Sequence, residues 1–194
     1  MVDRHEDTDL AQEGSWLKRY YFSRAAFSAV WVALAFSLAQ HSPVSLVVLL
    51  IVYPAWDALA NYIDMLRSGG ATANRTQALN VGISVMTMIA VIAALKLGAH
   101  WVLGVFGVWA ILSGLLQLGT AVRRWKRFGA QWAMILSGAQ SALAGAFFIV
   151  QGGAPLSAAI GRVAGYAAVG AAYFLISALW LSAGQLRIKL ARTS

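Results

Sequence analysis

Residues 53–70 of the chain read YPAWDALANYIDMLRSGG, and they close an apolar run that opens as VSLVVLLIVYP at 44–54. A helix of about 20 mostly apolar residues crosses the hydrocarbon core of a bilayer. This one nevertheless carries Asp57, Asn61 and Asp64. With Tyr53 they are spaced four, four and three residues apart, which places them on one face of a helix. The stretch therefore reads as a membrane helix with a single polar stripe, and the rest of the chain has to explain what that stripe faces.

The composition agrees with lipid as the solvent. Of 194 residues, 60% are hydrophobic and 11% charged, and the mean hydropathy is +0.68. A soluble domain is about 45–50% apolar and about 25% charged. Six apolar runs follow one another at about 21–40, 44–66, 76–97, 101–122, 130–150 and 156–186, separated by short polar breaks. They predict an all-α integral membrane protein of six transmembrane helices, arranged as three antiparallel hairpins in one domain over 20–190. Residues 1–19 hold five of the seven acidic residues and read as a disordered or surface-lying tail; 191–194 form a C-terminal tail. SGG after Arg67 is a glycine C-cap signal, and Asn74 with Gln77 resembles a capping box opening the third helix.

Charge sets the orientation. If the N-terminus is cytoplasmic, only Lys96 and Arg162 of the fifteen basic residues fall at the outer side. That asymmetry obeys the positive-inside rule and puts both termini in the cytoplasm. Trp16, Trp125 and Trp132 at the inner boundary and Trp101 at the outer one suit interfacial anchors. The net charge of +8 is thereby assigned to topology and lipid headgroups, not to nucleic acid. RRWKRFG at 123–129 offers Arg123, Arg124, Lys126 and Arg127 to anionic headgroups.

Asp57 lies nine residues from the end of its run, about 14 Å in depth, near the centre of a core about 30 Å thick. An aspartate there costs about 2.5–3.5 kcal/mol on insertion scales, so it should face the bundle and find a partner. At similar depth the other runs offer Ser28, Ser84 or Thr87, Ser113, Ser137 with Gln140 and Ser141, and Ser177 with Tyr173. Asp64, about 10 Å further along the axis, lies within reach of Arg67, Arg24 or Arg75. Two readings follow. In one, Asp57 binds a proton or cation in a midplane site, with Asn61 and Asn80 leading inward. In the other, a protonated Asp57 is interhelical glue, donating to a serine or carbonyl.

Other patterns carry less chemistry. GRVAG at 161–165, continued by Ala168 and Ala172, predicts close helix packing within the chain or between copies. AWDALANYIDMLR and VWAILSGLLQLGT align Trp56 with Trp109 and Asp64 with Gln117, a weak internal repeat. The chain has no cysteine, which excludes disulfides and thiolate chemistry. His5, His41 and His100 have no metal-ligand spacing. With no GxSxG, P-loop, dinucleotide fingerprint or HExxH, neither catalysis nor a cofactor or metal is expected.

YPAWDALANYIDMLRSGG with NRTQALN, and VFGVWAILSGLLQL at 105–118, resemble the HdeD-like family of small bacterial membrane proteins over about 20–186. The resemblance implies an inner-membrane location and, from the family's named member, a role in acid resistance; it supplies no catalytic or binding residues. The reading is a non-enzymatic, stress-related or scaffolding multi-pass protein, self-associating in the bilayer. The alternative is a small proton- or cation-linked permease or channel subunit with Asp57 as its carrier, its solute or ion unspecified.

Overall fold

A computed structural model describes residues 2–39, 41–126 and 131–191, without the side chains of 2–11, 188, 189 and 191. Every regular element among the described residues is helical: α1 (Val2–Ser37), α2 (Pro43–Arg67), the short α3 (Gly70–Ala73), α4 (Arg75–Leu97), α5 (Val102–Arg124), α6 (Gln131–Val150) and α7 (Leu156–Ala191). A 3-10 turn at Ala99–Trp101 leads into α5. Five helices, α2 and α4 to α7, are long and apolar enough to cross a membrane. The apolar part of α1 is diluted by Tyr20, Tyr21, Ser23 and Arg24. The outer surface carries large exposed side chains such as Val30, Phe36, Val44, Leu79, Met86, Leu143 and Val150, an apolar exterior that suits lipid rather than water.

Local signals account for the helix ends. Ser42 caps α2 by accepting from the Ser45 N–H at 3.2 Å, with Pro43 as the first helical residue, where its missing N–H costs nothing. Gly69 and Gly70 have φ of 93° and 84°, left-handed values that only glycine adopts freely, and they turn the chain after α2. The capping box at α4 is half made. Asn74 accepts from the Gln77 N–H at 3.4 Å, whereas the Gln77 side chain reaches away to Asp64.

Residues 2–19, expected as a disordered or surface-lying tail, form the first half of α1, which runs unbroken from Val2. Once the packed part of a helix is nucleated, extending it costs little per residue. Leu17 and Tyr20 are already buried against the bundle. Lys18 donates to Gln185 at 2.7 Å, so the N-terminal half of α1 and the C-terminal part of α7 meet at one end.

The helices close into a ring in the order α1, α2, α4, α5, α6, α7 and back to α1. Neighbours run antiparallel, as the register shows: Asp57 faces Ser84 and Asp64 faces Gln77 across α2 and α4. The expected hairpins pair the first run with the second, the third with the fourth and the fifth with the sixth. The most extensive contacts join other partners, α5 with α6, α1 with α7 and α2 with α4. Packing chemistry decides this, not the length of the links. On α5 and α6 a Cβ added to Gly107 would stand 2.7 Å from the Gly145 carbonyl oxygen, and one on Gly114 2.6 Å from that of Gly138. The two backbones touch there, and only glycine permits it. Gly161 and Gly165 of GRVAG have nothing within 4 Å of an added Cβ, so the close packing expected of them inside the chain is made by these other glycines.

Two apolar layers fill the ring. One holds Trp31, Leu50, Val91, Phe106 and Ile160. The other, toward the end where Lys18 meets Gln185, holds Leu17, Tyr21, Met134, Phe174 and Ala178. The polar stripe of α2 runs between them.

Candidate functional site

Asp57 is 5% exposed and Asp64 1%. Each is the centre of a polar rung that ties several helices together. On the first rung the Asp57 carboxylate is ion-paired with Arg24 of α1. It also accepts from Asn61 Nδ2 at 2.8 Å and from Ser84 Oγ of α4 at 2.7 Å. Trp109 of α5 donates its indole N–H to Ser84 at 3.1 Å. Arg24 in turn donates to Tyr20 Oη at 2.9 Å and, more weakly, to Asn61 Oδ1 at 3.4 Å, and Tyr20 donates to Asn61 at 3.1 Å. The guanidinium also lies 4.6 Å from the centre of the Phe174 ring, a cation–π contact.

The second rung repeats the pattern two helical turns along. Asp64 is ion-paired with Arg124 of α5 at 3.0 Å. It accepts from Gln77 of α4 at 2.5 Å and from the indole of Trp16 of α1 at 3.1 Å. Asp57 has one of the partners expected of it, Ser84, and Asp64 has none. Asp64 pairs with Arg124, not with Arg67, Arg24 or Arg75, and Asp57 holds a guanidinium as well as a serine. Asp57 accepts from the Ser84 hydroxyl, where the glue reading has it donate.

Beside the first rung lies a chamber of about 70 Å³, lined by Arg24, Asp57, Asn61, Gln77, Asn80, Ser113, Thr120, Gln140, Tyr166 and Arg124, among others. Asn80 Oδ1, Ser113 Oγ and Thr120 Oγ1 are buried there without a hydrogen-bond partner. A buried polar atom left unpaired costs about 1–3 kcal/mol, so three on one chamber wall call for polar contents. A space of this size holds a few waters. A second space of about 230 Å³ lies at the basic end, lined by Glu13, Trp16, Asp64, Arg67, Asn74, Arg123 and Arg124. Arg124 lines both, so the Asp64–Arg124 pair stands between the vestibule and the chamber.

Of the residues expected in a polar site, Asp57, Asn61, Asn80, Ser113 and Gln140 do line the chamber. Ser84 stands behind Asp57, and Asp64 forms the next rung. Thr87 turns aside and donates to its own helix at Ile83 O, 2.8 Å. Of the residues offered to headgroups, Arg124 is drawn inward, its side chain 15% exposed. Arg123 donates to Asn74 Oδ1 at 2.6 Å, Lys126 is exposed, and Arg127 lies outside the described residues. The aligned Trp56 and Trp109 are not equivalent. Trp109 is buried at the first rung, while Trp56 stacks on Phe27 at 4.4 Å with its N–H unpartnered. The site residues that sequence reasoning missed are Arg24, Arg124, Trp109 and Gln77. Arg24 alone had a signal: it is the one basic residue inside the first apolar run, opposite the carboxylate inside the second.

Compared with protein-family models, curated proteins and solved structures, the chain gives no match. The fold and site themselves define its class: an all-helical membrane bundle with a charge-paired polar network at its centre.

Proposed function

We propose that the chain is a six-helix inner-membrane protein of the HdeD-like type, non-enzymatic, with both termini in the cytoplasm, whose chamber takes up a small polar solute. It is thus a small permease or channel subunit. The observation that carries this reading is the chamber wall on which Asn80, Ser113 and Thr120 are buried without partners. Membrane interiors place polar groups where a substrate pathway or a partner requires them. α1 supplies the sixth span, since it packs along α7 and carries the counter-charge of Asp57. The basic vestibule then opens to the cytoplasm, in keeping with the positive-inside rule.

Gly170 lines the chamber and has nothing within 4 Å of an added Cβ. Gly170→Leu should fill the space without disturbing the rungs. In proteoliposomes screened against polar solutes and ions, the wild-type chain should raise the permeability to at least one of them, and Gly170→Leu should return it to that of protein-free vesicles. No permeation by the wild-type chain would sink the reading. The second reading, a stress-related or scaffolding role, is favoured by one observation: both Asp57 oxygens are already occupied by Arg24, Asn61 and Ser84, as in structural glue. It would be left standing if nothing permeates.

A further inference from the structure

The charges around the chamber limit what can enter it. Three charged side chains line it, Arg24, Asp57 and Arg124. The first two are paired with each other and the third with Asp64, immediately beyond the wall. Asp57 Oδ1 accepts from Arg24, and Oδ2 from Asn61 and Ser84. Asp64 Oδ1 accepts from Trp16, and Oδ2 from Gln77 and Arg124. A cation would find carboxylate oxygens already taken, with a guanidinium beside each. An anion would find guanidinium groups facing their own carboxylates. Either ion would shed its hydration shell without gaining a counter-charge, the least favourable form of burial.

A neutral molecule meets no such obstacle. It needs hydrogen-bond partners, and the unpartnered atoms supply them: an amide oxygen on Asn80, and hydroxyls on Ser113 and Thr120 that both donate and accept. Ser113 and Thr120 are two turns apart on α5, about 10 Å along its axis. Subtracting two hydrogen bonds of about 2.8 Å leaves about 5 Å, the length of a three-carbon chain with a hydroxyl at each end.

We infer that the chamber's ligand is a small neutral molecule with hydroxyl groups at both ends, a short polyol, and not a proton or a metal cation. This rests on the reading of the chamber as a solute site and specifies its ligand. Glycerol, a three-carbon chain with a hydroxyl at each end, is the probe.

The test is stopped-flow light scattering of proteoliposomes in glycerol gradients, with sodium, potassium and proton fluxes measured on the same vesicles. The wild-type chain should pass glycerol well above protein-free vesicles, with ion fluxes at background. Ser113→Ala and Thr120→Val, which remove the hydroxyl without adding volume, should each lower the rate by about three- to tenfold, the weight of one lost hydrogen bond. Ser182→Ala, outside the chamber, should leave it unchanged, and all variants should elute as the wild type does. Ion flux with glycerol at background would overturn this inference and leave the solute-site reading intact. No flux of any kind would overturn both. Glycerol flux unaltered in both Ser113→Ala and Thr120→Val would overturn the assignment of these residues.

Discussion

Arg24 of α1 and Asp57 of α2, 33 residues apart in the chain, form an ion pair inside the bundle, with side chains 15% and 7% exposed. The pair decides how the polar stripe of α2 is used. It fixes a carboxylate that would otherwise be costly to bury, and it anchors α1 to the ring. Removing one member leaves the other buried and unpaired, a loss of about 3–5 kcal/mol. Asp57→Asn and Arg24→Gln should therefore each lower the thermal midpoint in detergent sharply. The double variant should lie above what the two losses predict together, because neither charge is then orphaned. Additive losses would show that the pair is not formed.

The glycine contacts of α5 and α6 make a second prediction. Gly138→Val and Gly145→Val place side-chain atoms against the opposite backbone. They should destabilise the bundle by at least the ~1–3 kcal/mol of ordinary overpacking. Gly161→Val and Gly165→Val, with open space around the added Cβ, should be nearly neutral. Melting of the four variants in one detergent compares them directly.

Trp56 and Trp109 should respond oppositely to the same change. Trp109→Phe removes the hydrogen bond to Ser84 and should cost about 0.5–1.5 kcal/mol. Trp56→Phe removes an N–H that has no partner and should cost nothing measurable, as thermal denaturation would show.

The cytoplasmic placement of the vestibule is testable by labelling, because the chain has no cysteine of its own. Ser68→Cys should react with a membrane-impermeant maleimide only after the inner face is opened. His100→Cys should react in intact cells. Reversed labelling would invert the topology.

How far the sequence reaches is clearest at α2. Its length, its N-cap at Ser42, its glycine stop and the single polar face are all local properties, written in periodicity and turn chemistry. So is the number of apolar runs. Where neighbours sit is not local. Nothing near Arg124 sets it apart from Arg123 or Lys126, yet it alone turns in to meet Asp64. GRVAG carries the familiar small-residue spacing, yet the backbones meet at Gly107, Gly114, Gly138 and Gly145.

By itself, then, the sequence determined the six apolar helical segments, that their solvent is apolar, and that Asp57 needed a partner, because hydropathy and helical spacing act within one segment. It did not determine that α1 extends back to Val2. The tertiary structure alone decided that the partner is Arg24, that α1 packs on α7, and that Asn80, Ser113 and Thr120 line one chamber. Those facts depend on which faces of distant helices meet, and that is settled by packing and charge pairing across the whole ring.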